Sequence, residues 1–187
     1  MRSSTRKIMI GNIAVGGGAP IAVQSMTNTD TRDAAATAAQ INELAAAGCD
    51  IVRVAVVDHD AALALGKIKA QISVPLVADI HFDYRLALTA IEQGVDKLRI
   101  NPGNIGSRSK VEAVVKAAQA NKVPIRVGVN SGSLAEWAVE KYGHTPKAMV
   151  ESALEHVKIL EELGFEDIVI SLKATSVPFT LDAYKII

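Results

Sequence analysis

The strongest constraint in this sequence is a regular alternation of short β-branched segments with longer segments of helical period. Six segments are predicted to be strands: Ile21–Ser25, Ile51–Ala55, Leu76–Ile80, Lys97–Ile100, Ile125–Val129 and Ile168–Leu172. The segments between them carry apolar residues at steps of three and four, as in Val150, Leu154, Val157 and Leu160. A strand followed by a helix, repeated along the chain, predicts parallel strands joined by right-handed crossovers.

The entries into these strands alternate between two devices. Three strands are entered through a proline, at Pro20, Pro75 and Pro124. Proline lacks a backbone N–H, but at the first residue of a strand this removes no hydrogen bond from the ladder. The other three follow a glycine that ends a helix and then an acidic residue, as in Gly48-Cys49-Asp50 and Gly94-Val95-Asp96. The strict alternation indicates a repeated pair of βα units.

Two α/β architectures are compatible with this pattern, an open doubly wound sheet and a (β/α)₈ barrel. A barrel takes about 250 residues and one βα unit roughly 30, so 187 residues predict a TIM-type barrel truncated to about six units. Residues 19–187 are expected to form this incomplete barrel, and residues 1–18 a β-hairpin around Gly11-Asn12 that plugs its floor. The open edges predict association with a second copy, as a homodimer.

Composition excludes several classes of function. The 20 Lys and Arg residues balance 20 Asp and Glu residues, so no global charge draws the chain to nucleic acid or to an anionic membrane. The single cysteine, Cys49, cannot form a disulfide framework or hold a cysteine-ligated cluster, and no metal site is predicted. Glycines and Pro20 interrupt the apolar residues of the N-terminus, which fits neither a signal peptide nor a membrane span and predicts a cytoplasmic protein.

Polar side chains gather where the predicted strands end, which is the functional end of parallel α/β folds. The candidates are Arg53, Asp79, His81, Arg99, Asn101, Asn104, Arg126, Asn130, Ser171 and Lys173. Period-two alternation places the candidates of each strand on one face. If these faces point inward, three arginines and a lysine converge on one mouth, which suits a phosphate-rich anion because guanidinium forks match phosphate oxygens.

The alternative is an internal polar layer in which these cations pair with Asp79 and Asp83. One or two acids cannot balance several buried cations, and this favours an anion site. Asp79 and His81 are candidates for a catalytic proton-transfer pair, while a structural role in holding Arg99 is equally open. Ser133-Leu-Ala-Glu136 is predicted to be a capping box that starts a short helix.

Three long strings of residues are shared with a known family. They are Pro20–Asn28 (PIAVQSMTN), Val74–Arg85 (VPLVADIHFDYR) and Leu98–Gly106 (LRINPGNIG). Arg126–Asn130 and Ser171–Ala174 continue the match in order across nearly the whole chain. In these strings the sequence resembles bacterial 4-hydroxy-3-methylbut-2-enyl diphosphate synthase, of the non-mevalonate isoprenoid route.

The resemblance implies an N-terminal (β/α)₈ barrel that binds 2-C-methyl-D-erythritol 2,4-cyclodiphosphate. It implies an oxidoreductase acting on CH or CH₂ groups, with two electrons supplied by ferredoxin or flavodoxin. The positions that match the family's diphosphate ligands are Arg53, Arg99, Arg126 and Lys173, with His81, Asn101, Asn130 and Ser171 nearby. In the family a C-terminal domain holds a [4Fe–4S] cluster through three cysteines and a glutamate. That domain and the last two barrel strands are missing here, so an N-terminal fragment that is inactive by itself is expected.

Two other functions stay open on the residues alone. A pterin-binding barrel such as dihydropteroate synthase shares the architecture and a polar exit from the first strand, but a fold does not fix a chemistry. A non-catalytic binding module would need only the anion site. The crowding of cations favours a diphosphate ligand over a pterin.

Overall fold

The computed structural model describes residues 5–101 and 105–187, with a small and a large sheet. The described strands are β1 Ile8–Ile10, β2 Ile13–Val15, β3 Gln24–Met26, β4 Ile51–Ala55, β5 Leu76–Asp79, β6 Lys97–Ile100, β7 Ile125–Asn130 and β8 Ile168–Lys173. The main helices are α1 Ala34–Ala46, α2 His59–Lys69, α3 Tyr84–Glu92, α4 Arg108–Asn121, α5 Glu136–Tyr142, α6 Pro146–Glu162 and α7 Val177–Ile186.

The strand order of the large sheet decides between the two architectures. Strands β3 to β8 are parallel neighbours in unbroken chain order, whereas a doubly wound sheet reverses its order at a switch point. The sheet also curls, because Lys97 Nζ on β6 donates to Gln24 Oε1 on β3 at 3.2 Å across two intervening strands. The prediction of a TIM-type barrel truncated to six βα units is confirmed.

The first strand of the large sheet begins later than the sequence predicts. The prediction was Ile21–Ser25, but β3 covers Gln24–Met26, while the other five strands agree to within one residue. The Val23 N–H donates to the Asp50 side chain at 2.7 Å instead of to a neighbouring strand. A side chain thus takes the place of the first ladder bond.

The glycine and acid at alternate strand entries have separate tasks. Gly48 has a left-handed φ of 95° directly after α1, a conformation that glycine adopts without steric cost. Asp50 and Asp96 then accept from the backbone N–H groups of Val23 and Leu76, each at 2.7 Å. Each acid therefore anchors the start of the strand that precedes its own in the sheet.

Strands β1 and β2 form the predicted antiparallel hairpin, with Ile8 opposite Val15. Ile10 is fully buried and packs with Ile51 and Val77 on the inner face of the large sheet. These contacts lie at the amino-terminal end of the parallel strands. The hairpin therefore packs apolar side chains against that end of the inner face, where Gln24 and Lys97 lie level with Ile51 and Val77.

The main core lies between the outer face of the sheet and the helices. Leu98 and Ile125 from adjacent strands and Leu65 from α2 are fully buried in it. Burying one such side chain stabilises a fold by about 1.5–3 kcal/mol. Because the outer layer supplies this apolar burial, charged side chains can occupy the inner face. Within the described ranges, no helix is long and apolar enough to cross a membrane.

The predicted capping box is wrong. Helix α5 begins at Glu136 after Ala135, and no side chain caps it. The Ser133 hydroxyl instead donates to the Asn130 carbonyl at 3.4 Å, and the Ser133 N–H donates to the same oxygen at 3.0 Å. Ser133 therefore closes the turn after β7 and does not cap the helix, which begins three residues later.

Candidate anion-binding site

The carboxyl ends of the parallel strands surround a cavity of about 330 Å³. It is lined by all nine predicted site residues that the structure describes: Arg53, Asp79, His81, Arg99, Asn101, Arg126, Asn130, Ser171 and Lys173. Phe82, Gly128 and Ser133 also line it. Asn104, a further candidate, lies outside the described residues.

Strand register brings these side chains together. Arg99 on β6 lies opposite Asp79 on β5 and opposite Arg126 on β7. Asn130 and Lys173 are likewise partners at the ends of β7 and β8. Because alternate residues of a strand face the same side, one inner face collects the charges of five neighbouring strands.

Asp79 is the electrostatic centre of one half of the cavity. Its side chain is 7% exposed, and Oδ1 lies 3.2 Å from Arg99 Nη1 and 3.3 Å from His81 Nε2. Oδ2 lies 3.6 Å from Arg53 Nε. The structural role of holding Arg99, which the sequence left open, is thus present. A role of Asp79 and His81 in proton transfer stays a prediction.

Asp83 does not join this internal layer. It caps α3 by accepting from the Arg85 N–H at 3.0 Å, and its carboxylate pairs with the Arg85 side chain at 2.7 Å. This local pair lowers the pKa of Asp83 through the side-chain hydrogen bond from Arg85. The alternative of a fully balanced polar layer therefore fails, because only one of the two acids faces the cavity.

Arg126 has no carboxylate partner among the described residues. Its Nη2 donates to the Ser171 hydroxyl at 2.6 Å, and its Nε is buried without a hydrogen-bond partner in that part of the chain. Burial, and next the charges of Arg53 and Arg99, lower the pKa of the Arg126 guanidinium. A buried donor with no acceptor is costly, and an anion in the cavity would supply one.

The cavity lining is therefore strongly cationic. Arg53, Arg99, Arg126 and Lys173 face one carboxylate, Asp79. Lys173 lies exposed at the end of β8, at the outer edge of the group. A concave site with four cations and one acid attracts anions, and bidentate guanidinium groups favour phosphate oxygens.

Two further residues on this inner face were not predicted from the sequence. Lys97 precedes Arg99 by two positions, and Gly128 lies between Arg126 and Asn130, so the same period-two alternation places both inward. A Cβ on Gly128 would lie 2.8 Å from Arg99 Nε. A larger residue there would displace the Arg99 guanidinium, which lies across β7 and donates from Nη2 to the Gly128 carbonyl at 3.4 Å.

Lys97 lies deeper in the barrel than the predicted site. It is 3% exposed and its ammonium donates to Gln24 Oε1, with no carboxylate within 4 Å among the described residues. Burial, and next the charges of Arg126 and Arg53, lower the pKa of Lys97 to about 7. Two cations of the inner face, the buried Lys97 and the half-buried Arg126, thus have no acidic partner among the described residues.

A larger cavity of about 1040 Å³ opens between the two edge strands of the sheet. Gly16, Pro20 and Ile21 line its outer part, and Lys97 and Arg126 line its inner part. It is not the cavity surrounded by the predicted site residues. Arg126 and Ser171 line both cavities, so the larger one continues beneath the anion site.

No group of three or more potential metal ligands occurs among the residues that the structure describes. The Cys49 thiol is buried and donates to the Ile51 carbonyl oxygen at 3.0 Å. An iron–sulfur cluster takes four ligands, mostly cysteine. The side chains of this barrel therefore do not fit a cluster.

The family model described as the GcpE TIM-barrel domain matches residues 5–187. Among curated relatives, 4-hydroxy-3-methylbut-2-en-1-yl diphosphate synthase (flavodoxin) of Clostridium perfringens is 63% identical over 186 residues, covering 99% of this chain and 53% of the relative. The enzyme of the same name from Geobacter sulfurreducens is 63% identical over 188 residues, covering 100% and 53%. The chain spans about half the length of the curated relatives it matches.

Solved structures share the fold at low identity. Dihydropteroate synthase from Xanthomonas albilineans in complex with 7,8-dihydropteroate has a TM-score of 0.62 and 14% identity, covering 97% of this chain and 71% of that one. Phospho-2-dehydro-3-deoxyheptonate aldolase from Thermotoga maritima has a TM-score of 0.64 and 10% identity, covering 88% and 45%. Such identities show the fold alone, whereas the family match spans nearly every residue. The chain therefore belongs to the GcpE TIM-barrel domain family.

Proposed function

We propose that this chain is the substrate-binding barrel of a 4-hydroxy-3-methylbut-2-en-1-yl diphosphate synthase and that it binds 2-C-methyl-D-erythritol 2,4-cyclodiphosphate. The observation that carries the proposal is the cavity where Arg53, Arg99, Arg126 and Lys173 face a single carboxylate. A cyclic diphosphate would bring two negative charges and several acceptor oxygens to this excess of positive charge. The names of the relatives support the same activity.

The side chains divide the work of binding. The three guanidinium groups can each present two parallel donors to phosphate oxygens, and Lys173 adds a mobile point charge at the outer edge. The side chains of Asn101, Asn130 and Ser171 supply neutral donors around the same cavity. Asp79 holds Arg53 and Arg99 in position while the site is empty.

His81 is the proposed proton carrier of the site. Its side chain is 56% exposed, and Nε2 lies 3.3 Å from Asp79 Oδ1. An imidazole beside a buried carboxylate can accept a proton and keep it within reach of a ligand. The pair therefore suits a reaction in which an oxygen leaves the substrate as water.

The complete reaction needs parts that these residues do not provide. It is a two-electron reduction, and the names of the relatives give flavodoxin as the electron donor; ferredoxin is the other donor class we propose. A [4Fe–4S] cluster would supply the electron transfer, but Cys49 and the described carboxylates do not fit it. We place the protein in the cytoplasm and propose a homodimer, formed through the open edges of the sheet.

Calorimetry with the 187-residue chain tests the proposal. Cyclodiphosphate should bind, and Arg99→Met should weaken binding by about 1.5–3 kcal/mol, or roughly 10- to 150-fold, the range for hydrogen bonds to charged groups. Arg108→Met is the matched control, because Arg108 pairs with Glu162 on the helical surface at 2.9 Å. Tighter binding of a pterin pyrophosphate, or equal affinity in both variants, would contradict the assignment.

A further inference from the structure

Lys97 is the most deeply buried cation of the barrel interior, and the proposed function does not use it. It begins β6, two residues before Arg99 on the same inner face. The residue is 3% exposed, and Gln24 Oε1 at 3.2 Å is the one acceptor for its Nζ in the described part of the chain. An isolated ammonium is costly to bury, and such a group commonly loses its proton instead.

The charges that face Lys97 are mainly cations. Arg53 on β4 and Arg126 on β7 both oppose its protonation, and Gln24 on β3 is neutral. Tyr184 on α7 brings a hydroxyl group into the same cavity. The two arginines therefore destabilise the ammonium, and the neutral groups do not balance its charge.

The acid on the neighbouring strand and the acid next to Lys97 in sequence are both already engaged. Asp79, on the neighbouring β5, pairs with Arg53, Arg99 and His81. Asp96 is adjacent in sequence but forms an ion pair with Lys69 of α2 and accepts the Leu76 N–H. Neither acid lies within 4 Å of the Lys97 ammonium, so no described carboxylate can hold its proton.

We propose that Lys97 couples anion binding to proton uptake, because its buried amine holds a proton firmly only when an anion lies against Arg126. This inference rests on the proposed function, since it takes the anion to be the ligand of the smaller cavity. It assigns Lys97 as a positioning residue that sets how affinity depends on pH. Lys97 need not touch the ligand.

Arg126 provides the physical connection. It lines the smaller cavity with the predicted site and the larger cavity with Lys97. An anion that pairs with Arg126 cancels the charge that most strongly opposes protonation of Lys97 after burial itself. Lys97 is 3% exposed, so the interaction is screened less than it would be at a surface. By reciprocity, a protonated Lys97 strengthens anion binding by the same factor.

Proton uptake can be measured directly by calorimetry of cyclodiphosphate binding in buffers of different ionisation enthalpy. Each phosphorus of this cyclic ligand has one acidic oxygen, so the ligand lacks the second ionisation near pH 6 of a terminal phosphate. The wild-type chain should take up about half a proton at pH 7 and close to one at pH 8.5, given a pKa of about 7 in the empty barrel. Its dissociation constant should rise with pH, by up to roughly tenfold per unit.

Two variants locate the proton. Lys97→Met replaces the amine with a neutral side chain of similar length, and it should bind cyclodiphosphate with no proton uptake near pH 8. His81→Asn is the control, because it removes the imidazole from the same cavity and leaves the Lys97 amine in place; it should keep the uptake seen at pH 8.5. Uptake that disappears with His81→Asn and persists in Lys97→Met would overturn the inference.

A ligand-independent measurement separates this inference from the proposed function. The Lys97 amine, followed by nitrogen NMR in the empty chain, should titrate near pH 7 and move upward when cyclodiphosphate is added. If the chain fails to bind cyclodiphosphate, the proposed function and the inference both fail. If it binds and the Lys97 titration stays in place, only the inference is overturned.

Discussion

The inner face of this barrel carries two groups of charges that are built differently. In the paired group, Arg53 and Arg99 share the carboxylate of Asp79. In the unpaired group, Lys97 and Arg126 have a neutral acceptor each, from Gln24 and Ser171, and no described acid. The two groups lie on neighbouring strands and share β6, which carries both Lys97 and Arg99.

The difference shows how an empty anion site can be stable without being balanced. A buried cation that keeps one carboxylate partner retains its charge, and its geometry is set before any ligand arrives. A buried cation without a partner is destabilising until negative charge is supplied. The paired group therefore positions donors, and the unpaired group makes the site respond to an anion.

The largest expected effect is the loss of stability when the carboxylate of the paired group is removed. Asp79→Asn keeps the shape of the side chain and leaves Arg53 and Arg99 without their partner. We expect the free energy of unfolding to fall by about 3–5 kcal/mol, the range for breaking a buried ion pair from one side. Urea denaturation monitored by circular dichroism measures this loss.

Two controls sharpen this first comparison. Asp83→Asn changes the same residue type at the exposed Arg85 pair, and asparagine remains a good helix cap, so the loss should stay below about 1 kcal/mol. Arg126→Met removes a member of the unpaired group and should leave stability within about 1 kcal/mol or raise it. Equal losses in Asp79→Asn and Arg126→Met would mean that the two groups do not differ.

The next effect is a pH dependence of stability that comes from Lys97. Its pKa is about 7 in the folded chain and 10.5 in the unfolded chain, so the unfolded state binds more protons between these values. Stability from this group therefore rises with pH through this window, by up to about 1.4 kcal/mol per unit, and does not change below pH 7. Urea unfolding measures this effect. Between pH 7 and 10 the free energy of unfolding of the wild type should rise by roughly 3–4 kcal/mol relative to that of Lys97→Met.

Lys67→Met provides the reference for this titration. Lys67 is exposed on α2, so its replacement should leave the pH dependence of the wild type unchanged. A parallel course of the wild-type and Lys97→Met curves across the window would contradict a buried, unpaired amine.

Much of the fold could be predicted because its signals are local. Glycine and aspartate at residues 48 and 50 mark a helix end and a strand start, and the structure shows a left-handed turn and a side-chain bond to Val23 there. The same bond explains why β3 begins late: a side chain from another strand entry competes with the ladder. The glycine–aspartate signal spans only residues 48–50, whereas the hydrogen bond that delays β3 joins residues 27 positions apart.

The membership of the site could be predicted, but its division into two groups could not. Alternation predicted that Arg99 shares a face with Asn101, and Arg126 with Asn130, yet it does not show that Asp83 turns outward to Arg85 while Asp79 turns inward. Lys97 could not be predicted from its position, because it begins its strand, whereas functional side chains are expected where parallel strands end. Burial and missing partners are properties of packed neighbours, which one sequence does not display.

A smaller effect is expected where the two groups meet, at Gly128. In Gly128→Ala the new methyl group would lie 2.8 Å from Arg99 Nε and 3.1 Å from Nη2, so the guanidinium must move. Affinity for cyclodiphosphate should fall by about 1.5–2 kcal/mol, the loss of one charged hydrogen bond. Gly132→Ala is the control, because nothing lies within 4 Å of its new Cβ. Calorimetry that gives the two variants the same dissociation constant would show that Arg99 can shift without cost.

The smallest effect concerns the single acceptor of the unpaired group. Gln24 Oε1 stabilises the charged form of Lys97, so Gln24→Leu should lower the pKa of the amine below its value of about 7. The shift should be at most about one unit, since one hydrogen bond to a charged group contributes on the order of 1.5 kcal/mol. Nitrogen NMR of Lys97 in the empty chain measures it. In Lys97→Met the added Gln24→Leu change should leave the pH dependence of stability unaltered, because the two residues act through one bond. An upward shift of the pKa would mean that the Gln24 amide opposes the ammonium. Another group would then keep Lys97 partly protonated at neutral pH.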